Sequence, residues 1–95
     1  MVREAVVPRI TDLATAIKVY YENIELGSAE IRELFGDISN GKVTNLKNAV
    51  LKVMSERGVV HFGYRTVNTQ VAYEVWGLDI EELERRFKAL RKLNI

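Results

Sequence analysis

Along much of this chain, apolar residues recur every three or four positions, a spacing that predicts helices with one buried face. The first such run predicts a helix over about 12–23. Its apolar positions are Leu13, Ile17, Tyr20, Tyr21 and Ile24. The preceding residues, 1–10, contain Pro8, which limits how far a helix can extend backwards, so we expect an irregular arm there.

Two further runs predict a short helix followed by a long one. Ser28 is a good N-cap and Gly36 a good terminator, so the short helix is expected over about 29–35. The turn that follows is polar except for Ile38, which predicts an apolar side chain buried beneath it. The long helix is expected over about 40–57 and is followed by a glycine. Its buried stripe consists of Val43, Leu46, Val50, Val53 and Met54.

The last third of the sequence mixes extended and helical patterns. Residues 59–68 are β-branched and aromatic, so they predict an extended or hairpin-like segment, either a small wing or a plain connecting loop, and we favour the loop. Residues 70–76 alternate as a strand does, but Thr69 as a cap indicates a two-turn helix, which we favour. Asp79 predicts the cap of a final helix over about 80–93. The apolar positions of that helix are Ile80, Leu83, Phe87, Leu90 and Leu93.

The length of 95 residues corresponds to one domain, residues 1–95, in which the segment 78–95 either covers the core or pairs two copies. The fold class predicted is mainly α, a bundle of four to five helices with room for a minimal β wing near residues 59–68. There is no cysteine, which excludes disulfides and cysteine-based zinc sites. No apolar run has the length of a signal peptide or a membrane span, so we expect a soluble, cytoplasmic protein without a metal or other cofactor.

The net charge is only +1, but the basic residues are concentrated in the middle of the chain. Residues 1–38 carry net −3, residues 39–57 net +3 and residues 58–95 net +1. From Ser39 to Ser55 there is no carboxylate. A surface that faces phosphates should avoid carboxylates, since each would repel the nucleic-acid backbone. The long helix is therefore the candidate for a contact with a polyanion, and an ordinary solvated face is the alternative.

Residues 28–48 read SAEIRELFGDISNGKVTNLKN, which resembles the helix-turn-helix of bacterial and phage DNA-binding proteins, including winged-helix proteins. The resemblance is in spacing: a supporting helix, a turn at Gly36 and a second helix capped by Ser39. Asp37 makes the turn one residue longer than in the common form. The resemblance implies that the second helix enters the major groove while the first braces it from behind.

The outward side of the long helix supplies the candidate DNA contacts. A step of about 100° per residue places Thr44, Asn45, Asn48 and Lys52 opposite the apolar stripe. Asparagine can bond bidentately to adenine, and lysine can bond to guanine or phosphate. Arg65, in the segment after this helix, is a candidate for a phosphate or minor-groove contact. The candidate DNA-binding residues are Ser39, Asn40, Lys42, Thr44, Asn45, Lys47, Asn48, Lys52 and Arg65.

The function predicted is sequence-specific binding of double-stranded DNA, by a small transcriptional regulator or a phage or mobile-element accessory factor. No nucleophile motif, phosphate loop or dinucleotide fingerprint is present, so we expect no enzyme and no catalytic residues. His61 lies in an apolar stretch without a second ligand, which indicates packing rather than a metal site. Because one small module contacts few base pairs, we expect a homodimer. The expected interface residues are Trp76, Leu83, Phe87 and Leu90.

Two alternatives stay open at this point. The first is a protein-interaction module that keeps the helix-turn-helix scaffold and binds another protein with residues 43–54 and the last helix. The weak net charge favours it. The second is a structural subunit of a larger assembly.

Overall fold

Five helices and two short strands make up the part of the chain that the structure describes, residues 7–60, 62–63 and 65–93 of a computed structural model. The helices are α1 (Leu13–Glu22), α2 (Ser28–Phe35), α3 (Asn40–Arg57), α4 (Thr69–Val75) and α5 (Ile80–Leu93). The strands are β1 (Glu25–Leu26) and β2 (Val67–Asn68). The predicted mainly α bundle with a minimal sheet is therefore confirmed. The predictions for His61 and for the first six residues of the arm lie outside the described residues.

Helix α1 begins where Asp12 caps it. The carboxylate Oδ1 of Asp12 accepts a hydrogen bond from the backbone N–H of Thr15 at 2.8 Å. Ala16 and Val19 are buried, and α5 packs against this helix. The predicted bounds are confirmed to within one residue at each end, and residues 7–10 before the helix are irregular as predicted.

Helix α2 starts one residue earlier than predicted because Gly27, and not Ser28, is its N-cap. The carboxylate of Glu30 reaches back and accepts from the backbone N–H of Gly27 at 2.7 Å. This bond closes the start of the helix without a hydroxyl cap. The side chain of Ser28 is therefore available for a different partner, described below.

The turn between α2 and α3 has the chemistry that the sequence predicts. Gly36 adopts φ +92°, a conformation that favours glycine, and its N–H donates to the carbonyl of Arg32 at 2.8 Å. Ile38 is half-buried and packs against the core. Ser39 caps α3, since its Oγ accepts from the N–H of Lys42 at 3.2 Å. The predicted plug and the predicted cap are both confirmed.

Helix α3 is anchored by its apolar stripe. Val43, Leu46, Val50 and Met54 are buried, and Val53 is half-buried against the same core. The helix ends at Gly58, which adopts the left-handed conformation. Its predicted bounds are confirmed.

Of the described residues of the segment 59–68, for which a connecting loop is the favoured prediction, only Val67–Asn68 form a strand, and that strand does not form a hairpin with a neighbouring strand of the same segment. Strand β2 pairs with β1, which precedes α2, and Glu25 lies opposite Asn68 in this antiparallel register. A two-residue strand is too short to show alternation, so the sequence pattern does not predict β1. Beside the sheet, the Oγ1 of Thr69 donates to the carbonyl of Asn23 at 2.6 Å, which brings the end of α1 to the start of α4.

Residues 69–75 form a helix, which confirms the preferred alternative, but its cap is Asn68 rather than Thr69. The Oδ1 of Asn68 accepts from the N–H of Val71 at 3.0 Å. Thr69 is buried, and its hydroxyl is satisfied by the bond to the carbonyl of Asn23. In the same helix, the hydroxyl of Tyr73 donates to the carbonyl of Ala16 at 2.6 Å and ties α4 to α1.

The predicted dimer interface is wrong for Trp76 and Leu83. Trp76 is only 4% exposed, and its Nε1 donates to the carbonyl of Leu46 at 3.2 Å. Its ring also packs edge-on against Phe35, with 5.3 Å between centroids. Leu83 is likewise a core residue. Both side chains are buried by contacts within one copy. Of the four predicted interface residues, only Phe87 and Leu90 have surface that a second copy could contact.

Candidate nucleic-acid interface

The polar side of α3 faces solvent along its length. Thr44, Asn45, Asn48 and Lys52 are all exposed, as predicted. The opposite stripe holds the helix against the core, so the orientation of this polar side is determined by packing. At the start of the helix, Ser39, Asn40 and Lys42 are exposed as well.

A groove of about 630 Å³ runs along one flank of this polar side. It lies between the start of α2, helix α3 and the connection between α3 and β2, whose described residues 59–60, 62–63 and 65–66 we call the wing loop. The groove is lined by Ser28, Asn40, Val43, Thr44, Lys47, Asn48, Leu51 and Arg65. The predicted candidates Ser39, Lys42, Asn45 and Lys52 do not line it. They add to the polar surface beyond its edge.

Lys47 is the central cation of the groove. Its Nζ donates to the Oγ of Ser28 at 2.8 Å, which joins α3 to the start of α2. Burial lowers the pKa of Lys47, and the nearby guanidinium groups of Arg65 and Arg32 lower it further, against an opposing effect of Glu30. The positive charges of Arg65 and Arg32 therefore both act on the ammonium group of Lys47. An anion bound beside Lys47 would offset this repulsion.

Arg32 organises the turn beneath the groove. Its Nε donates to the carbonyl of Ile38 at 3.3 Å, and its Nη2 donates to the side-chain carbonyl of Asn40. Asn40 therefore has a structural bond in addition to its place in the groove lining.

Sequence reasoning missed four contributors to this site. Ser28 was predicted as a cap and Val43 as part of the buried stripe, and Arg32 and Leu51 were not predicted as site residues. One signal for Arg32 was present, since it is the one basic residue of the segment 28–35. The partnership of Ser28 with Lys47 had no local signal, because 19 positions separate them.

No family model, curated protein or solved structure matches this chain. The kind of ligand that the groove can bind is therefore inferred from the residues that line it. Ammonium and guanidinium groups bind phosphate, and exposed asparagine amides bind base edges. Within the described ranges, Lys42 and Lys52 form no salt bridge with a carboxylate. The surface therefore combines unmatched positive charge with groups that can read bases.

Proposed function

We propose that this chain binds double-stranded DNA, with α2 and α3 acting as a helix-turn-helix of the bacterial and phage type. The observation that carries the proposal is the groove beside α3, where Lys47 and Arg65 lie together next to a helix face without carboxylates. Duplex DNA presents regularly spaced phosphates and removes the repulsion between these cations. The proposed role is binding without a catalytic step, in the cytoplasm, by a transcriptional regulator or a phage or mobile-element accessory factor.

In the proposed complex, α3 lies in the major groove and its outward side chains divide into two sets. Asn45 and Asn48 face base edges, where a side-chain amide bonds bidentately to adenine. Lys47 and Arg65 bind phosphates on the flank that the wing loop covers. Lys52 binds a phosphate further along the helix. Packing against α4, β2 and α2 keeps α3 in place while these contacts form.

Fluorescence anisotropy with a labelled random-sequence duplex at several salt concentrations tests this proposal. We expect affinity to fall steeply with salt, with a logarithmic slope of about −0.9 for each phosphate neutralised. Lys52→Glu should weaken binding to all duplexes and make the slope shallower by about one. Lys18→Glu is the matched control, because it changes the net charge equally at an exposed position of α1, outside both the groove and the end of α5. Absence of duplex binding at low salt, or equal effects of the two variants, would overturn the proposal.

A homodimer through the exposed end of α5 completes the proposed function. Leu90 is 47% exposed and Leu93 81% exposed, beside the half-buried Phe87. Two copies double the number of phosphates and bases contacted.

Sedimentation equilibrium tests the pairing. We expect Leu93→Ser to shift the chain toward monomer. Val60→Ser removes an exposed apolar side chain of the wing loop, outside α5, and should leave the association unchanged. A wild-type chain that is monomeric at the highest soluble concentration would exclude this part of the proposal.

A second candidate function, protein binding, is favoured by two apolar side chains on the wing loop. Val60 is 69% exposed and Phe62 is 88% exposed, next to the groove-forming segment. Under this alternative, the wild-type chain shows no salt-dependent binding to duplex DNA and Lys52→Glu changes nothing in the anisotropy experiment.

A further inference from the structure

The carboxylate of Glu25, on β1, forms hydrogen bonds with the wing loop that leads into β2. Oε2 of Glu25 accepts from the backbone N–H of Phe62 at 2.5 Å, and Oε1 accepts from the N–H of Gly63 at 2.7 Å. Oε1 also accepts from the hydroxyl of Thr66 at 2.9 Å. Hydrogen bonds to a charged acceptor are the stronger kind, so Glu25 limits the conformations open to the loop.

The loop is shaped around that carboxylate. A Cβ added at Gly63 would lie 2.7 Å from the Oγ1 of Thr66 and 3.1 Å from Oε1 of Glu25, so position 63 has no space for a side chain. Two residues later, Arg65 adopts φ +58°, a conformation that is unfavourable for a residue with a side chain. Such a conformation persists only where the surroundings hold it, and the bonds to Glu25 lie on both sides of it along the chain.

The left-handed residue is also the one that reaches the groove. Arg65 lines it together with Lys47 and Ser28, and its charge acts on the Lys47 ammonium. A loop released from Glu25 would allow Arg65 to move away from the like charge of Lys47. The carboxylate therefore binds the two loop residues that flank Arg65, the cation beside Lys47.

We propose that Glu25 is a positioning residue for DNA binding: its carboxylate holds the wing loop so that Arg65 stands beside Lys47 and both bind the phosphate backbone. This inference rests on the proposed function. It makes a prediction opposite in sign to simple electrostatics, because removal of a carboxylate from a DNA-binding protein should strengthen binding. Here its removal weakens binding.

The experiment compares Glu25→Gln with Glu22→Gln in the full chain, using anisotropy with the labelled random duplex at one low salt concentration. Both variants lose one negative charge, and Glu22 lies exposed at the end of α1. We expect Glu25→Gln to weaken binding by roughly five- to tenfold, the size of one lost phosphate contact with its positioning. Glu22→Gln should bind as well as the wild type or slightly more tightly.

A double-mutant cycle separates positioning from loss of folding. Arg65→Ala should weaken binding, and Glu25→Gln added to it should have no further effect, since Glu25 acts through Arg65. Additive effects in the double variant would overturn the inference, as would unchanged affinity of Glu25→Gln. If the wild-type chain itself does not bind the duplex, both the proposed function and this inference are wrong. If the wild type binds and only the Glu25 results disagree, the proposed function stands.

Discussion

The two longest helices, α3 and α5, both have an apolar and a polar side, but they differ in whether their charged side chains are paired within the helix. Helix α5 begins with acidic residues and ends with basic ones, and its Glu82 forms salt bridges with Arg85 and Arg86. Helix α3 has no carboxylate before Glu56, and in the described part of the chain Lys42 and Lys52 form no salt bridge.

The paired charges of α5 stabilise the fold, whereas the unpaired lysines of α3 can bind a partner. Charges matched within a helix, and placed to suit its dipole, contribute to the stability of that helix. Unmatched lysines on an exposed face contribute little to folding, so they can change without loss of structure. The apolar sides differ as well, because four residues of α3 are buried and only Leu83 of the described α5 is. Helix α3 is therefore the more firmly anchored of the two.

The largest effect on the free energy of unfolding is expected when an apolar side chain of each helix is shortened. Leu46→Ala removes a buried side chain next to Trp76, and we expect it to lower the free energy of unfolding by about 2–5 kcal/mol. Leu90→Ala removes a half-exposed side chain and should cost less than about 1 kcal/mol. Urea unfolding followed by circular dichroism, at one low protein concentration, measures both. Equal losses would mean that α3 is not the better anchored helix.

An intermediate effect is expected from one charge on each helix. Glu82→Gln removes the acceptor of two salt bridges and an acidic residue of the first turn, and should lower the free energy of unfolding by about 0.5–1 kcal/mol. Its affinity for duplex DNA should stay the same or rise. Lys52→Gln should leave unfolding unchanged but reduce the salt dependence of DNA binding by about one unit of slope. If Lys52→Gln destabilises the fold or leaves the salt dependence of DNA binding unchanged, the proposed difference between the charges of α3 and α5 is wrong.

The smallest effect on stability is expected at Lys47, where burial and two guanidinium groups lower the pKa. The folded chain then holds this proton less tightly than the unfolded chain, so stability rises as pH rises toward the ordinary lysine value of 10.5. Lys47→Met should therefore raise the unfolding midpoint slightly at neutral pH and lose that alkaline gain, while it weakens DNA binding. Urea midpoints at neutral and alkaline pH test this. A lower midpoint at neutral pH would show that the bond to Ser28 outweighs the repulsion.

Much of the fold was predictable because its signals are local. Helices α1, α3 and α5 follow from a repeat of three or four residues and from caps such as Asp12, Ser39 and Asp79, which act on the turn next to them. The exposure of Asn45, Asn48 and Lys52 follows from the same periodicity. The cap of α2 was mispredicted because Glu30 and Ser28 are both suited to that end of the helix, and geometry selected the carboxylate.

The sequence by itself determined where the long helices lie, which side of α3 is polar and that this side lacks carboxylates, because periodicity and composition depend on neighbours within a few positions. Only the tertiary structure decided that Trp76 belongs to the core, that β1 pairs with β2 and that Ser28, Lys47 and Arg65 share a groove. The bonds of Glu25 to the wing loop join residues up to 41 positions apart. Contacts at such separations depend on how the whole chain closes its core, and no local pattern specifies them.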